Sequence, residues 1–268
     1  MSNFDFAQFG YLVAPKDVLV FVLVLFRCLS IFLVAPILSS RAVPAPIKIV
    51  LSVSMALLIF PEIKFIDSLA LSSDLYLAQL IIKEVTIGLL IGFGAMVLFA
   101  AIQCAGDIVG FKIGFSIATV LDPTSHSISG VLTTFYTLVG SLLFLNLNGH
   151  HVLIEALVQS FKALPIGSSL SEMVASSIAD LVTQLFVVAI KIAAPVIVVL
   201  TLLNLIFGLL TKLSPQMNVY FNLGFVIGPI LGLFTILASL PLIKVLITQL
   251  TENMRPEIFE MIRNLKGT

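Results

Sequence analysis

The sequence predicts an all-α, membrane-type fold built from kinked helical hairpins, and three observations carry that prediction. Of 268 residues, 59% are hydrophobic and only 10% charged, whereas a soluble domain carries about 25% charged residues. The apolar residues gather into six runs, most of them near or above the roughly 20 residues that cross a bilayer. Several runs hold a proline, which removes a helical hydrogen bond, or glycines four apart, which let two backbones approach closely. Fourteen Lys and Arg balance fourteen Asp and Glu, so no field of one sign recommends nucleic acid as a partner.

The first run, Val18 to Leu38, carries Arg27 at its middle. A central arginine is unfavourable by at least about 2.5 kcal/mol on insertion scales, so it needs a protein partner or water. The N-terminus has no basic stretch ahead of this run, which therefore reads as an uncleaved anchor rather than a signal peptide. Pro36 leaves the carbonyl of Phe32 without its helical donor and predicts a kink or stop. A polar turn, Ser39 to Pro46, leads into a short run, Ile47 to Phe60, that holds Lys48 and stops at Pro61. Fourteen residues at about 1.5 Å each fall short of a hydrocarbon core about 30 Å thick.

Glu62 to Lys83 reads as a polar connection. The third run, Val85 to Ile102, contains Gly88 and Gly92 and flows through Gln103 into Gly106-Asp-Ile-Val-Gly110-Phe-Lys-Ile-Gly114-Phe-Ser-Ile-Ala118, closed by Leu121-Asp122-Pro123. Small residues every four positions make a smooth helical ridge. The glycines also make it easy to unwind, at about 1 kcal/mol each relative to alanine, and Phe111, Ile113, Phe115 and Ile117 fill the gaps between them. The stretch reads either as a packing ridge or as a deformable apolar plug.

The fourth run, Ile128 to Leu147, ends in a turn at Asn146-Leu-Asn148-Gly149-His150-His151, and Val152 to Leu164 shows helical spacing up to Pro165. Residues 166–177 are rich in serine and small side chains and mark the best internal boundary, dividing the chain into 1–175 and 176–268. The fifth run, Ile178 to Leu210, carries Asp180, Gln184 and Lys191 within about 40° of one another. Pro195 frees the carbonyl of Lys191 itself. This polar stripe reads as a wet cavity or subunit contact, or as snorkelling charges or an internal ion pair. Thr211 to Asn218 is a tight polar turn. The sixth run, Val219 to Leu250, has a second glycine ridge at Gly224, Gly228 and Gly232, and the tail after Thr251 reads as an exposed charged helix. Loop charges satisfy the positive-inside rule in neither orientation, which argues against an ordinary bilayer-embedded bundle.

No catalytic constellation emerges. Gly114-Phe-Ser116 with His126 or His150 lacks the second glycine of a nucleophile turn, since Ala118 stands there, and lacks an orienting carboxylate. His151 and Glu155 lack a second ligand pair, so no zinc site is expected. No phosphate-cradling glycine-rich loop is present. Cys28 and Cys104 lie in apolar runs as small buried hydrophobes. Neither cofactor nor metal is expected. A small-solute transporter is the alternative from another class, yet its internally repeated halves are not visible.

The run Pro36…Ser40-Arg41-Ala-Val43-Pro44…Lys48…Pro61 resembles the start of the FliR family, core membrane components of the flagellar type III protein-export gate. So do Glu84…Gly88…Gly92…Gln103-Cys-Ala-Gly106…Gly110…Gly114-Phe-Ser…Ala118…Asp122-Pro123, Leu143-Phe…Asn148-Gly149-His150-His151…Ser160-Phe161…Pro165, and Ala194-Pro195…Asn204…Gly208…Ser214-Pro215-Gln216-Met217-Asn218-Val219. The matches run in order from Pro36 to Phe221. The Gly-His-His and Pro-Gln-Met-Asn stretches favour the flagellar branch over the related virulence-secretion (injectisome) proteins. Lys112, where the family commonly has glutamine, Asn148 in place of aspartate, and Val226-Ile227-Gly228 depart from the pattern.

The resemblance implies a non-enzymatic subunit of a protein-conducting pore in the bacterial inner membrane, at the flagellar basal body. It implies a FliP-like part followed by a FliQ-like hairpin around Ser214 to Asn218, completed by FliP and FliQ subunits. FlhA-like and FlhB-like export components, secreted flagellar proteins and membrane lipid are its other implied partners. The family's pore plug would fall on Gly110, Phe111, Ile113, Gly114, Phe115 and Ile117, anchored by Asp122 and Pro123. That favours the plug over the packing ridge. Asp180, Gln184, Lys191, Gly224, Gly228 and Gly232 are the expected subunit-interface residues, because lipid would satisfy neither the polar stripe nor the glycine ridge.

Overall fold

The computed structural model describes residues 15–40, 43–63, 74–115, 130–168, 174–213 and 224–265. They form an all-α membrane protein, with no strand among the described residues. Helix α1 spans Pro15–Val34, opening on a proline whose missing N–H would have had no helical partner in any case. Pro36 makes a stop rather than a kink. The Ala35 N–H still reaches the Ile31 carbonyl at 2.7 Å, and Leu38 then bonds back to Pro36 at 2.8 Å. Between them Ile37 takes a φ of 70°, the geometry of a γ-turn. Helix α2, Ala45–Ile59, follows with a proline in its first turn and runs into a short 3-10 turn, Phe60–Glu62. Lys48 donates to the carbonyls of Ser39 and Ser40 at 3.2 and 3.3 Å, tying the first turn of α2 to the connection that precedes it.

Helix α3, Asp74–Ile113, is 40 residues long, so the connection expected up to Lys83 is helical from Asp74 onwards. Helices α4, Val131–Asn146, and α5, Gly149–Ala163, meet at Asn148, whose φ is 56°. Helix α6, Val174–Leu213, carries Pro195 inside it and includes Thr211 to Leu213, which the sequence assigns to a turn. Helix α7, Phe225–Leu265, continues through Thr251 without a break. The tail is not merely an exposed charged helix, because Met254, Ile258, Met261 and Ile262 bury one side of it at helical spacing. Five described helices are long and apolar enough to cross a membrane, or six if α4 and α5 form one broken span.

The chain divides into two compact units. Unit 1 draws on Met1–Met96, His150–Ile178 and Met254–Thr268, and unit 2 on Val97–Gly149 and Ala179–Asn253. Both take residues from either side of the compositional boundary at 166–177, whose last four residues already belong to α6. In unit 1, α1 packs on α2, with Phe21 edge-on to Phe60, and the C-terminal turns of α7 lie on Gly94 through Ile258 and Met261. In unit 2, the second half of α3 packs on α4, with Phe99 edge-on to Phe144 at 5.3 Å between centroids.

Candidate functional site

Unit 1 is organised around Arg27, which is 0% exposed. Its Nε donates to Glu84 Oε2 at 2.6 Å, one Nη to Ser160 Oγ at 3.2 Å and the other to the Leu164 carbonyl at 3.1 Å. The guanidinium carbon lies 4.1 Å from the centroid of the Phe161 ring. The planar fork of arginine suits this divergent set of acceptors and the aromatic face beneath it. Ser160 passes its own proton to the Leu157 carbonyl at 2.7 Å, which leaves its oxygen free to accept from Arg27.

Close approach of α1 and α3 delivers Glu84 to Arg27. One turn after Glu84, a Cβ on Gly88 would stand 1.9 Å from Ser30 Oγ and 2.5 Å from the Arg27 carbonyl oxygen. The next turn places Gly92 against Val34 and Ile31, with 3.0 Å to Val34 Cβ. Glu84, Gly88 and Gly92 thus share one face of α3, as their four-residue spacing requires. Arg27 was expected to need a partner, and the motif residues Glu84, Ser160 and Phe161 are the ones it finds. This cluster is electroneutral and hydrogen-bonded, with no free nucleophile. A second ion pair, Arg255 to Glu155, ties α7 to α5 at the surface, so Glu155 is engaged by an arginine rather than by His151.

Unit 2 holds the glycine stretch. A Cβ on Gly106 would lie 2.7 Å from Thr133 Cα, and one on Gly140 would lie 2.8 Å from Ile102 Cδ1. The helical ridge stops after Gly110. Gly114 has a φ of 97°, its N–H bonds to Phe111 O at 3.2 Å, and the Phe115 N–H bonds to Gly110 O at 3.1 Å. That pair of bonds is a Schellman termination, in which glycine takes the left-handed position that other residues resist. Phe111 is 73% exposed while Ile113 is buried. Ile113 fills the groove over Gly232, where a Cβ would stand 2.5 Å from Ile113 Cγ1. Ile117, Asp122 and Pro123, like Ser214 to Asn218, lie outside the described residues. On α6, Asp180, Gln184 and Lys191 are exposed. Gly224, just before α7, and Gly228 on it are half-buried, and nothing stands within 4 Å of a Cβ built on Gly228.

Residues 18–254 match the family of bacterial export proteins, family 1. The flagellar biosynthetic protein FliR of Escherichia coli (strain K12) is 34% identical over 242 residues, 90% of each chain. FliR of Bacillus subtilis (strain 168) is 32% identical over 204 residues, 75% of this chain and 78% of that one. The chain belongs to the FliR family of bacterial export proteins. As a FliR-family member it is a membrane-associated component of the flagellar export apparatus. The matched span covers both units, from the arginine cluster through Gly228 and Gly232 to Met254.

Proposed function

We propose that this chain is a non-enzymatic core subunit of the flagellar type III protein-export gate. With FliP and FliQ subunits it forms a closed pore in the bacterial inner membrane for unfolded export substrates. One observation carries the reading: 67% of the span in α3 is buried within the chain, but only 28% in α6 and 28% in α7. The uncovered surface includes Phe186, Leu202, Leu205, Ile230, Phe234 and Leu237, alongside the exposed Asp180, Gln184 and Lys191. Lipid suits the apolar side chains and not the charges, whereas neighbouring subunits can meet both. FlhA-like and FlhB-like components and secreted flagellar proteins are the further partners of such a gate, and its energy comes from other components of the apparatus, since this sequence has no phosphate-cradling glycine-rich loop.

The end of α3 supports a plug. Phe111 projects from the last turn and Phe115 follows the Schellman glycine. Apolar constrictions exclude ions by dewetting, and a backbone that ends on glycine changes dihedrals at little steric cost. The test is deletion of Phe111 to Gly114, about one helical turn, with complex assembly checked beside it. An intact complex that passes small solutes supports the plug; an intact complex with unchanged permeability overturns it. The gate itself is tested by co-purification with FliP- and FliQ-like proteins, and a chain recovered alone and binding a small solute would favour the transporter.

A further inference from the structure

Unit 2 carries a polar face on α3 and α4, separate in sequence from the polar stripe of α6. On α3, Gln103 and Asp107 are exposed one turn apart. On α4, Thr134 is exposed and Thr137 and Ser141 are half-buried, all three within about 60° of one another around the helix. Their hydroxyls bond back to carbonyls of their own helix, those of Gly130, Thr133 and Thr137, at 3.2, 2.7 and 2.7 Å. Val131, Leu138 and Leu142 make the neighbouring apolar flank of α4.

The contacts of α3 and α4 place the two polar flanks on one side. Gly106 meets Thr133, Ile102 meets Gly140 and Phe99 meets Phe144, an antiparallel register. In that register Thr133 Oγ1 donates across the seam to the Asp107 carboxylate, which pins the flank of Gln103 and Asp107 to the flank of Thr137. Among the described residues the carboxylate accepts from this one neutral donor, and Gln103 makes no side-chain hydrogen bond. An ionised group so lightly satisfied does not stably face hydrocarbon. A protein neighbour that dried this face would need a donor for each free acceptor.

We propose that this face, Gln103, Asp107, Thr134, Thr137 and Ser141, is the water-lined wall that the chain contributes to the conduit. Asp107 is the fixed negative charge of that wall and favours cations along it. The inference rests on the pore proposed above. Rings and single carboxylates at a hydrated wall act in this way by their charge alone.

The test uses the complex with FliP- and FliQ-like partners in lipid nanodiscs, opened by deleting Phe111 to Gly114, in a Cys104→Ala background. Single substitutions Gln103→Cys, Asp107→Cys and Thr137→Cys are compared with Leu138→Cys and Leu142→Cys for reaction with a small charged thiol reagent. The first three react roughly tenfold faster if they face water, since thiol modification follows exposure and ionisation. Faster reaction at Leu138 and Leu142 in an intact, open complex overturns the wall and leaves the pore standing. Failure of the parent chain to join any such complex removes the pore, and the wall falls with it. Asp107→Asn, which keeps an acceptor for Thr133, lowers the cation-over-anion permeability ratio by about twofold or more. An unchanged ratio overturns the role of the charge.

Discussion

Units 1 and 2 both join apolar helices at close range, and they do it with different residues. In unit 1 the α1–α3 seam is glycine on one side and a buried, hydrogen-bonded arginine on the other. Three helices distant in sequence converge on that guanidinium, so the contact is directional and complete within the chain. In unit 2 the seams are glycine against the backbone of Thr133 at Gly106, and against isoleucine side chains at Gly140 with Ile102 and Gly232 with Ile113. Their close contacts are made at glycine, with one side-chain hydrogen bond, Thr133 to Asp107, across the α3–α4 seam, and long faces of α6 and α7 are left uncovered. A buried polar cluster specifies one arrangement and saturates itself. Glycine seams bring helices together and leave the rest of the surface for other molecules.

The largest effect should come from breaking the arginine cluster on one side only. Glu84→Leu strands a buried charge and should destabilise unit 1 by about 3–5 kcal/mol, seen as loss of the protein from membranes. Arg27→Leu combined with Glu84→Leu should recover most of that loss, because a packed apolar pair of similar volume replaces the ion pair. A double variant as depleted as the single one would show that the seam depends on shape rather than charge.

Gly106→Val comes next. Its side chain meets the backbone of Thr133, which cannot rotate away, and overpacking of this kind costs about 1–3 kcal/mol, measurable as a lower midpoint in detergent unfolding. Arg255→Ala removes an exposed ion pair with Glu155 and should cost no more than about 1 kcal/mol. The smallest change in the isolated chain belongs to Gly228→Leu. With open space around it, the variant should unfold no more easily than the parent and gain up to about 0.8 kcal/mol of helix propensity. Recovery with FliP- and FliQ-like partners should nevertheless fall, and normal recovery would place Gly228 away from the interface.

Much of the fold is legible in the sequence because long apolar runs and prolines act locally. Pro36 stops α1 as its missing N–H requires, and α5 ends at Ala163 just short of Pro165, though its first turn, Gly149 to His151, lies in a stretch that reads as a turn. The errors lie where local signals compete. The polar residues before Lys83 mask the first turns of α3, and the charges of the tail mask the Met254, Ile258, Met261 spacing. Arg27 is visibly in need of a partner, but Glu84, next to Lys83, has the look of a helix edge. Nothing in periodicity joins residues 57 positions apart. The contact of Ile113 with Gly232 is hidden for the same reason, since each belongs to a glycine pattern that is complete on its own.

The distance along the chain between Arg27 and Glu84 also sets a schedule. A ribosome adds residues at about 5–20 per second, so the arginine precedes its carboxylate by roughly 3–11 s, given the 57 positions between them. Ser160, 133 positions after Arg27, arrives later still, by roughly 7–27 s in all at the same rate. For that interval the first helix holds an unmatched charge that hydrocarbon disfavours. Slowing synthesis between α1 and α3 prolongs this exposed stage, and speeding it shortens the time in which the nascent anchor is open to water or to proteases.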